Sequence, residues 1–464
     1  MTREAAIGSV EEYFDQGDFY EDLARRIAIP STSQDPEKRP ALYAYLIEEI
    51  GPCLEKMGYG ISIHENPDPI GGPLLIAERH EGDDLTTVLT YGHGDVVRGH
   101  EGKWRDGRSP WKMEKHGDRW YGRGTADNKG QHSINIAALA HVLKTRGSLG
   151  FNSRILIETS EETGSAGLRE FCQAQKAALA ADVLIGSDGP RLGPEAPTLF
   201  MGTRGAINFE LTINLREGGH HSGNWGGLLS SASIRLANAI SSIVDRKGKI
   251  LLAGLKPAEI PESVRQALHG CSIEGGEGAP EVDPNWGEPG LTPAEQVFAW
   301  NSFEVLAMKA GDPEKVVNAV PPRATAWCQI RFTVDRDPDT FLSIIRDHLD
   351  HHGFDDVAVG QQEDGFMMQA TRLLPDHPWV QWASASVEKT MNAAPVLLPN
   401  LGGSLPNDVF SDVIGMPTIW VPHSYAACSQ HAPNEHVLAP IMREGLQIMT
   451  GLFWDMGEDK TPVK

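Results

Sequence analysis

The sequence predicts an α/β fold, in which a mostly parallel sheet flanked by helices is interrupted by a smaller α+β domain. Three observations predict it. Before about Gly205, short apolar strands alternate with helical segments, a βαβ rhythm typical of parallel sheets. After Gly205 the strands alternate polar and apolar residues, which indicates antiparallel strands with one solvated face. After about Thr371 the first pattern returns, so we expect one domain with another inserted into it.

The spacing of apolar residues places each element in turn. An opening helix over residues 10–29 stops at Pro30. The strands predicted for the α/β part are residues 74–77, 86–91, 154–158, 182–185 and 418–421. The helices predicted for it are residues 131–145, 166–175, 379–391 and a last one from Pro440. The inserted part is predicted to have strands 206–215 and 324–334, followed by helices 230–245 and 338–352.

Length and composition exclude several classes of protein. The chain has 464 residues, which favours two domains or one domain with a large insertion. Its 41 Lys and Arg against 63 Asp and Glu give a net charge of −22, which excludes a nucleic-acid partner. The five cysteines form no C-x-x-C pair, and neither a secretory signal nor a membrane span is recognisable. We therefore expect a soluble, cytoplasmic protein.

Polar clusters follow the predicted strands at their carboxyl ends, the edge where open α/β sheets bind ligands. Taken singly, each cluster also fits an ordinary turn or a solvated surface charge. The residues of these four clusters are His93 and Asp95, Asp127 in the glycine-rich run 122–130, the pair Glu161 and Glu162, and Asp188; a separate motif, residues 429–435, places His431 in a loop before the last helix. Their coincidence at one edge favours a functional site.

Five of these residues suit metal ions. Two imidazoles and three carboxylates, without thiolate, favour zinc, manganese or cobalt. Five ligands are too many for one tetrahedral zinc but suit two ions that share a bridging carboxylate. The five are His93, Asp127, Glu162, Asp188 and His431.

Together these ordered motifs resemble the dinuclear-zinc peptidase and amidohydrolase family of carnosinase, aminoacylase, glutamate carboxypeptidase and succinyl-diaminopimelate desuccinylase. The resemblance covers nearly the whole chain, from Ile29-Pro30-Ser31-Thr32-Ser33 to the loop at His431. It implies two divalent ions, zinc first, with manganese or cobalt possible. Asp127 would bridge them, and a cis peptide bond would join it to Asn128.

The resemblance also implies the remaining ligand and catalytic roles. His93 and Asp188 would complete one metal shell, and Glu162 and His431 the other. Asp95 would orient His93. Glu161 would be the general base, accepting a proton from a metal-bridged water as the hydroxide attacks an amide carbonyl.

A lid-domain histidine, commonly from the partner subunit of a homodimer, would donate to the oxyanion. The motif His220-His221-Ser222-Gly223 favours His221, with His220 as the alternative. Candidate ligands for the substrate's carboxylate are Asn318, Arg331, Gly403 and Ser404, since arginine offers two parallel donors. Arg331 could instead be a solvent-facing strand residue.

These features imply a catalytic domain over residues 1–203 and 371–464, with a lid and dimerisation domain over 204–370. The expected reaction is hydrolysis of an amide bond in a dipeptide or related small substrate with a free carboxylate. Aspartate at position 188 resembles the dipeptidase branch of the family. An N-acyl-amino-acid deacylase or desuccinylase is one alternative, and an inactive binding or scaffold protein is another. Residues 270–293, rich in Gly and Pro, fit either a loop over the site or a surface insertion.

Overall fold

The computed structural model describes residues 2–273, 281–361, 367–458 and 461–462. Its larger sheet has eight strands. From edge to edge they are Gly60–His64, Leu74–Arg79, Asn152–Glu158, Thr87–His93, Val183–Gly186, Thr418–Trp420, Thr198–Phe200 and Val396–Leu398. The four central strands are mutually parallel, whereas the first two strands run antiparallel to their neighbours. This arrangement confirms the predicted fold class.

Helices cover both faces of this sheet. The longest two, Lys129–Arg146 and Ala439–Met456, pack on each other and on the first helix of the chain. The α-helices of this part are Arg3–Asp15, Asp18–Ile27, Arg39–Ala44, Gly51–Lys56, Lys129–Arg146, Leu168–Ala174, Lys176–Leu179, Pro378–Met391 and Ala439–Met456. Two wider helical turns are Tyr45–Ile50 and Val409–Ile414.

The second large sheet is antiparallel. Its strands, in order, are Ser302–Ala310, Arg323–Phe332, Gly205–Asn214 and Val357–Gln361, with Met367–Met368 beside the third. Side chains of Arg323–Phe332 alternate between buried and partly exposed, because one face packs on the helices Ala232–Ile243 and Phe341–His351. The strands Gly205–Asn214 and Arg323–Phe332 begin and end within two residues of their predicted bounds.

Part of the segment between the strands Gly205–Asn214 and Ser302–Ala310 packs on the larger sheet. Helices Glu262–Leu268 and Pro293–Phe298 bury Val264 and Phe298 in a core shared with Leu398 of the larger sheet. The predicted stretch 270–293 joins these helices, and its residues 274–280 lie outside the described residues.

The predicted opening helix over 10–29 is wrong in one respect, since two helices replace it. The break falls at Gln16 and Gly17, where Gly17 adopts φ +90°, a conformation that favours glycine. None of the helices in the described part of the chain has the length and apolar composition that a membrane crossing requires.

Short strands form three smaller sheets in the described part of the chain. They are the ribbon His220–His221 with Ala319–Val320, the pair Pro190–Arg191 with Ser424–Tyr425, and the sheet of Glu114–His116, Arg119–Tyr121 and His436–Leu438. A four-residue helix, Ser222–Trp225, follows the first ribbon.

Candidate metal centre

Adjacent parallel strands deliver three of the predicted site segments to one edge. His93 is the last residue of its strand, Glu161 and Glu162 form a turn after the neighbouring strand, and Asp188 follows the strand on the other side. Because these strands run parallel, their carboxyl ends meet. Asp127 joins them from just before the helix Lys129–Arg146.

The structure brings the five predicted ligands into two groups that share Asp127. Within each group the ligand atoms all lie within 4.8 Å of one another. The groups are His93, Asp127 and Asp188, and Asp127, Glu162 and His431. One carboxylate oxygen of Asp127 lies 2.9 Å from His93 Nε2, and the other lies 2.9 Å from His431 Nε2. Asp127 therefore presents one oxygen to each group, and its peptide bond to Asn128 is cis, as the resemblance implied.

Asp95 contacts more of the site than the sequence indicated. Its carboxylate lies 3.3 Å from His93 Nδ1, the ring nitrogen that points away from Asp127. The same carboxylate accepts hydrogen bonds from the backbone N–H groups of Glu161, at 3.2 Å, and Glu162, at 3.1 Å. Its side chain is fully buried. Asp95 thus fixes both the imidazole and the turn that carries the two glutamates.

Glu435, which the sequence reasoning left without a role, holds the backbone around Asp127. Its buried carboxylate accepts from the N–H groups of Gly124, Ala126 and Asp127 and pairs with Arg123 at 2.6 Å. Glu435 lies four residues after His431 in the same loop, so the available signal in the sequence was an acidic residue close to a predicted ligand.

Two further polar side chains contact the proposed ligands. Gln430 Nε2 donates to the Asp127 carboxylate oxygen that faces His431. The side chain of Asn128 accepts from the backbone N–H of His93 and donates to the carbonyl of Ser187, beside Asp188. Both residues adjoin a predicted ligand in the sequence, but only the fold shows which atoms they reach.

Burial and crowding raise the pKa values of three carboxyl groups of the site. Burial raises the pKa of Glu161 well above its usual range. Burial, followed by repulsion from Asp127, raises the pKa of Glu162 to about 7 and that of Asp188 to about 6. Acidic groups held this close favour a bound cation, which offsets their mutual repulsion.

The pKa values of the two imidazoles are raised as well, which favours their charged form. Hydrogen bonds to Asp127 and Glu162 raise the pKa of His431 to about 10. Burial alone would lower the pKa of His93, but its bonds to Asp127 and Asp95 outweigh burial and raise the pKa above its usual value. The pKa of Asp127 is lowered by the same two histidines, although burial opposes this shift.

The cluster fits divalent cations by its own chemistry. Two buried oxygens, Glu162 Oε1 and Asp188 Oδ2, accept no hydrogen bond from the described residues. Buried polar atoms without a partner are costly unless an ion or water satisfies them. The donors are carboxylate oxygens and imidazole nitrogens, which suit zinc, manganese and cobalt.

Asp127, Glu161 and Asp188 line a cavity of about 400 Å³. Gly403 and Ser404 line the same cavity. Ser404 Oγ accepts from Arg331 Nη1 at 3.0 Å, so the predicted carboxylate ligands Arg331, Gly403 and Ser404 lie together. Arg331 is largely buried and forms no ion pair with a described carboxylate, and burial lowers its pKa. Its positive charge is therefore available to an anionic ligand.

The other two predicted residues lie elsewhere. His221 is exposed in the short ribbon with Ala319–Val320, and Ser222 donates its backbone N–H to the carbonyl of Asn318 at 2.9 Å. The structure places His221 and Asn318 close to each other. Neither is among the described residues that line the cavity beside the metal-ligand cluster.

A carboxylate shared by two ligand groups, with the buried His93 in one group and the exposed His431 in the other, is typical of hydrolases that bind two metal ions in one site. Residues 89–455 match the model of peptidase family M20/M25/M40. The match covers most of the chain, and the protein belongs to this family.

Individual relatives agree with this assignment. The chain is 24% identical over 487 residues to human Beta-Ala-His dipeptidase, covering 98% of this chain and 93% of that protein. It is 25% identical over 365 residues to the Cysteinylglycine-S-conjugate dipeptidase of Corynebacterium striatum, covering 76% of each. The crystal structure of human carnosine dipeptidase 1 superposes with a TM-score of 0.78 at 20% identity, covering 98% of this chain and 99% of that one. The last comparison shows a shared fold.

Proposed function

We propose that this protein is a dipeptidase that requires two divalent metal ions. The observation that carries the proposal is the shared carboxylate, because Asp127 gives one oxygen to each of two ligand groups beside a substrate-sized cavity. Relatives named for Beta-Ala-His and for cysteinylglycine conjugates support dipeptides as the substrate class.

The ligand groups divide between the two ions. His93 and Asp188 would complete one shell and Glu162 and His431 the other, with Asp127 common to both. Zinc suits this donor set, as do manganese and cobalt. When bound, such a pair of ions lowers the pKa of water and polarises the amide carbonyl.

Glu161 is the proposed general base. Its carboxylate lines the cavity and lies 3.9 Å from His93 Nε2. Burial raises its pKa, which suits a group that takes a proton from water and returns it to the amide nitrogen as the C–N bond breaks. Asp95 would be a positioning residue, since it holds the backbone N–H groups of Glu161 and Glu162.

Arg331 and the loop of Gly403 and Ser404 would bind the free carboxylate of the substrate. A guanidinium can donate two parallel hydrogen bonds to a carboxylate, and no described acid forms an ion pair with Arg331. Asn318 would contribute from the ribbon that carries His221.

We assign residues 1–203 and 371–464 to a catalytic domain and 204–370 to a lid that also forms a homodimer. The edge strand Ser302–Ala310 supports this assignment, because its exposed Val305, Leu306 and Met308 leave an apolar surface on an unpaired edge. In the homodimer, His221 of one subunit would stabilise the oxyanion in the other. The five unpaired cysteines support a cytoplasmic location.

Two isosteric substitutions test the reaction assignment. Glu161→Gln should lower kcat for dipeptides by about 10²- to 10⁴-fold while metal content stays at two ions per chain. Glu162→Gln, the matched control one residue away, should lower metal content itself. Unchanged hydrolysis by Glu161→Gln would show that the general-base assignment is wrong. Turnover of N-acetyl or N-succinyl amino acids without any dipeptide turnover would instead identify a deacylase.

Subunit mixing tests the role of His221. His221→Ala and Glu161→Gln should each be nearly inactive alone. Refolded together, they should recover about a quarter of the wild-type rate, because half of the random dimers then contain one intact site. No recovery, with dimers present by sedimentation, would rule out donation from the partner.

A further inference from the structure

The cavity beside the metal-ligand cluster is apolar over most of its remaining wall. Its volume of about 400 Å³ lies within the range of small-molecule sites. Among the described residues, seven large apolar side chains line it: Leu192, Ile273, Val297, Phe298, Leu398, Leu401 and Leu405. A polar substrate side chain placed against this wall would lose hydration without gaining a partner.

The wall is preformed rather than assembled from exposed loops. Phe298, Leu398, Leu401 and Leu405 are buried in the core of the larger sheet, and Leu192 and Val297 pack against that core. Val297 and Phe298 come from the helix Pro293–Phe298, which lies between the strands of the second sheet in sequence.

The contact between that helix and the substrate loop is close. A Cβ placed on Gly402 would lie 2.9 Å from Val297 Cγ1, so a larger residue at position 402 would displace the Val297 side chain. Arg204 Nε also donates to the carbonyl of Gly402 at 3.0 Å. The apolar wall and the loop of Gly403 and Ser404 are therefore fixed relative to each other.

Glu161 and Ser404 both line the cavity, and Ser404 accepts a hydrogen bond from Arg331 Nη1. The proposed function requires the amide bond at Glu161 and the free carboxylate at Ser404. The C-terminal residue of a dipeptide bound in this way would lie between these two groups, and its side chain would face the apolar wall.

We propose that this site selects dipeptides whose C-terminal residue has a large apolar side chain, such as leucine or phenylalanine. This inference rests on the proposed dipeptidase function and adds the substrate class. Burying a leucine side chain is worth enough to raise kcat/KM about 10- to 100-fold over glycine at the same position.

The test compares Ala-Leu and Ala-Phe with Ala-Gly, and Leu-Gly with Ala-Gly, on the metal-loaded full-length protein. We expect kcat/KM for Ala-Leu to exceed that for Ala-Gly by about 10- to 100-fold, with a smaller gain for Leu-Gly. Equal values for Ala-Leu and Ala-Gly, or a larger gain for Leu-Gly, would overturn the proposal.

Variants locate the preference. Leu192→Asn changes a partly buried wall residue and should lower the Ala-Leu to Ala-Gly ratio at least fivefold, while turnover of Ala-Gly reports that the protein is folded and metal-loaded. Val297→Asn, in the helix Pro293–Phe298, should lower the same ratio. Leu374→Asn, at a leucine that does not line this cavity, is the matched control and should leave the ratio unchanged. An unchanged ratio in both wall variants would overturn the assignment.

Failure of the proposed function is distinguishable from failure of this inference. If the wild type cleaves no dipeptide, the dipeptidase assignment fails, and calorimetry with L-leucine and glycine then tests the wall directly. Binding of leucine at least tenfold tighter than glycine would support the apolar subsite, and equal affinities would overturn it.

Discussion

Asp95→Asn tests how strongly metal binding depends on a residue that positions the proposed ligands without being one of them. The carboxylate of Asp95 accepts from the N–H groups of Glu161 and Glu162 and lies beside His93 Nδ1. Asparagine keeps the size but replaces one acceptor oxygen with a donor NH₂ group. In either orientation of the amide, one buried N–H loses its acceptor.

The size of the effect follows from that loss. A hydrogen bond to a charged group contributes about 1.5–3 kcal/mol, and a buried donor left unpaired adds its desolvation penalty. Because the affected turn carries Glu162, the cost should appear as metal affinity about 10- to 100-fold weaker. Saturating metal should then restore part of kcat.

Competition against a chromogenic chelator measures this affinity, and kcat/KM is followed as a function of free metal. Asp245→Asn is the matched control, since Asp245 also accepts two backbone N–H bonds, from Lys247 and Lys249, at the surface of the second domain. Wild-type metal affinity and activity in Asp95→Asn would refute the reasoning.

Three further outcomes are expected. Arg331→Ala should raise KM for dipeptides about 10- to 100-fold, because it removes the group that binds the substrate's carboxylate. Arg323→Ala, at the exposed start of the same strand, should leave KM unchanged. Equal KM values in the two variants would contradict the role of Arg331 in carboxylate binding. Glu435→Gln should lower the free energy of unfolding in urea by about 3 kcal/mol, because it leaves the buried Arg123 without its charge partner; unchanged stability would refute this. Burial lowers the pKa of His141 to about 4, so its contribution to stability is present above pH 6.5 and is lost as the pH falls toward 4. His141→Gln should therefore make the thermal unfolding temperature less dependent on pH between pH 7 and 4.5. An unchanged pH dependence in this variant would contradict the prediction.

Hydrophobic patterning predicts the bounds of the strands and helices in this fold better than it predicts which strands pair. The strand Thr87–His93 and the helix Lys129–Arg146 begin and end within two residues of the prediction. The sequence did not predict that Gly60–His64 adds an antiparallel edge, because edge pairing depends on tertiary contacts. The break at Gly17 had a local signal, since glycine readily adopts positive φ and ends helices.

Four of the candidate ligands were predictable because each lies at the end of a strand, just after a strand, or just before a helix, at the ligand-binding edge. The fifth, His431, lies in a loop and was predicted from the order of the motifs. The residues that hold these ligands in place were not predictable. Glu435 binds the N–H groups of residues more than 300 positions earlier, and Val297 reaches the cavity from within the inserted segment. Such contacts depend on how the chain returns in space, which patterning along the sequence does not encode.

The metal content of the wild-type protein after equilibrium dialysis against zinc tests most directly whether Asp127 serves two metal sites at once. We expect two ions per chain at saturation, and fewer in Glu162→Gln, where one ligand group has lost a carboxylate. A single ion per wild-type chain at saturation would contradict it.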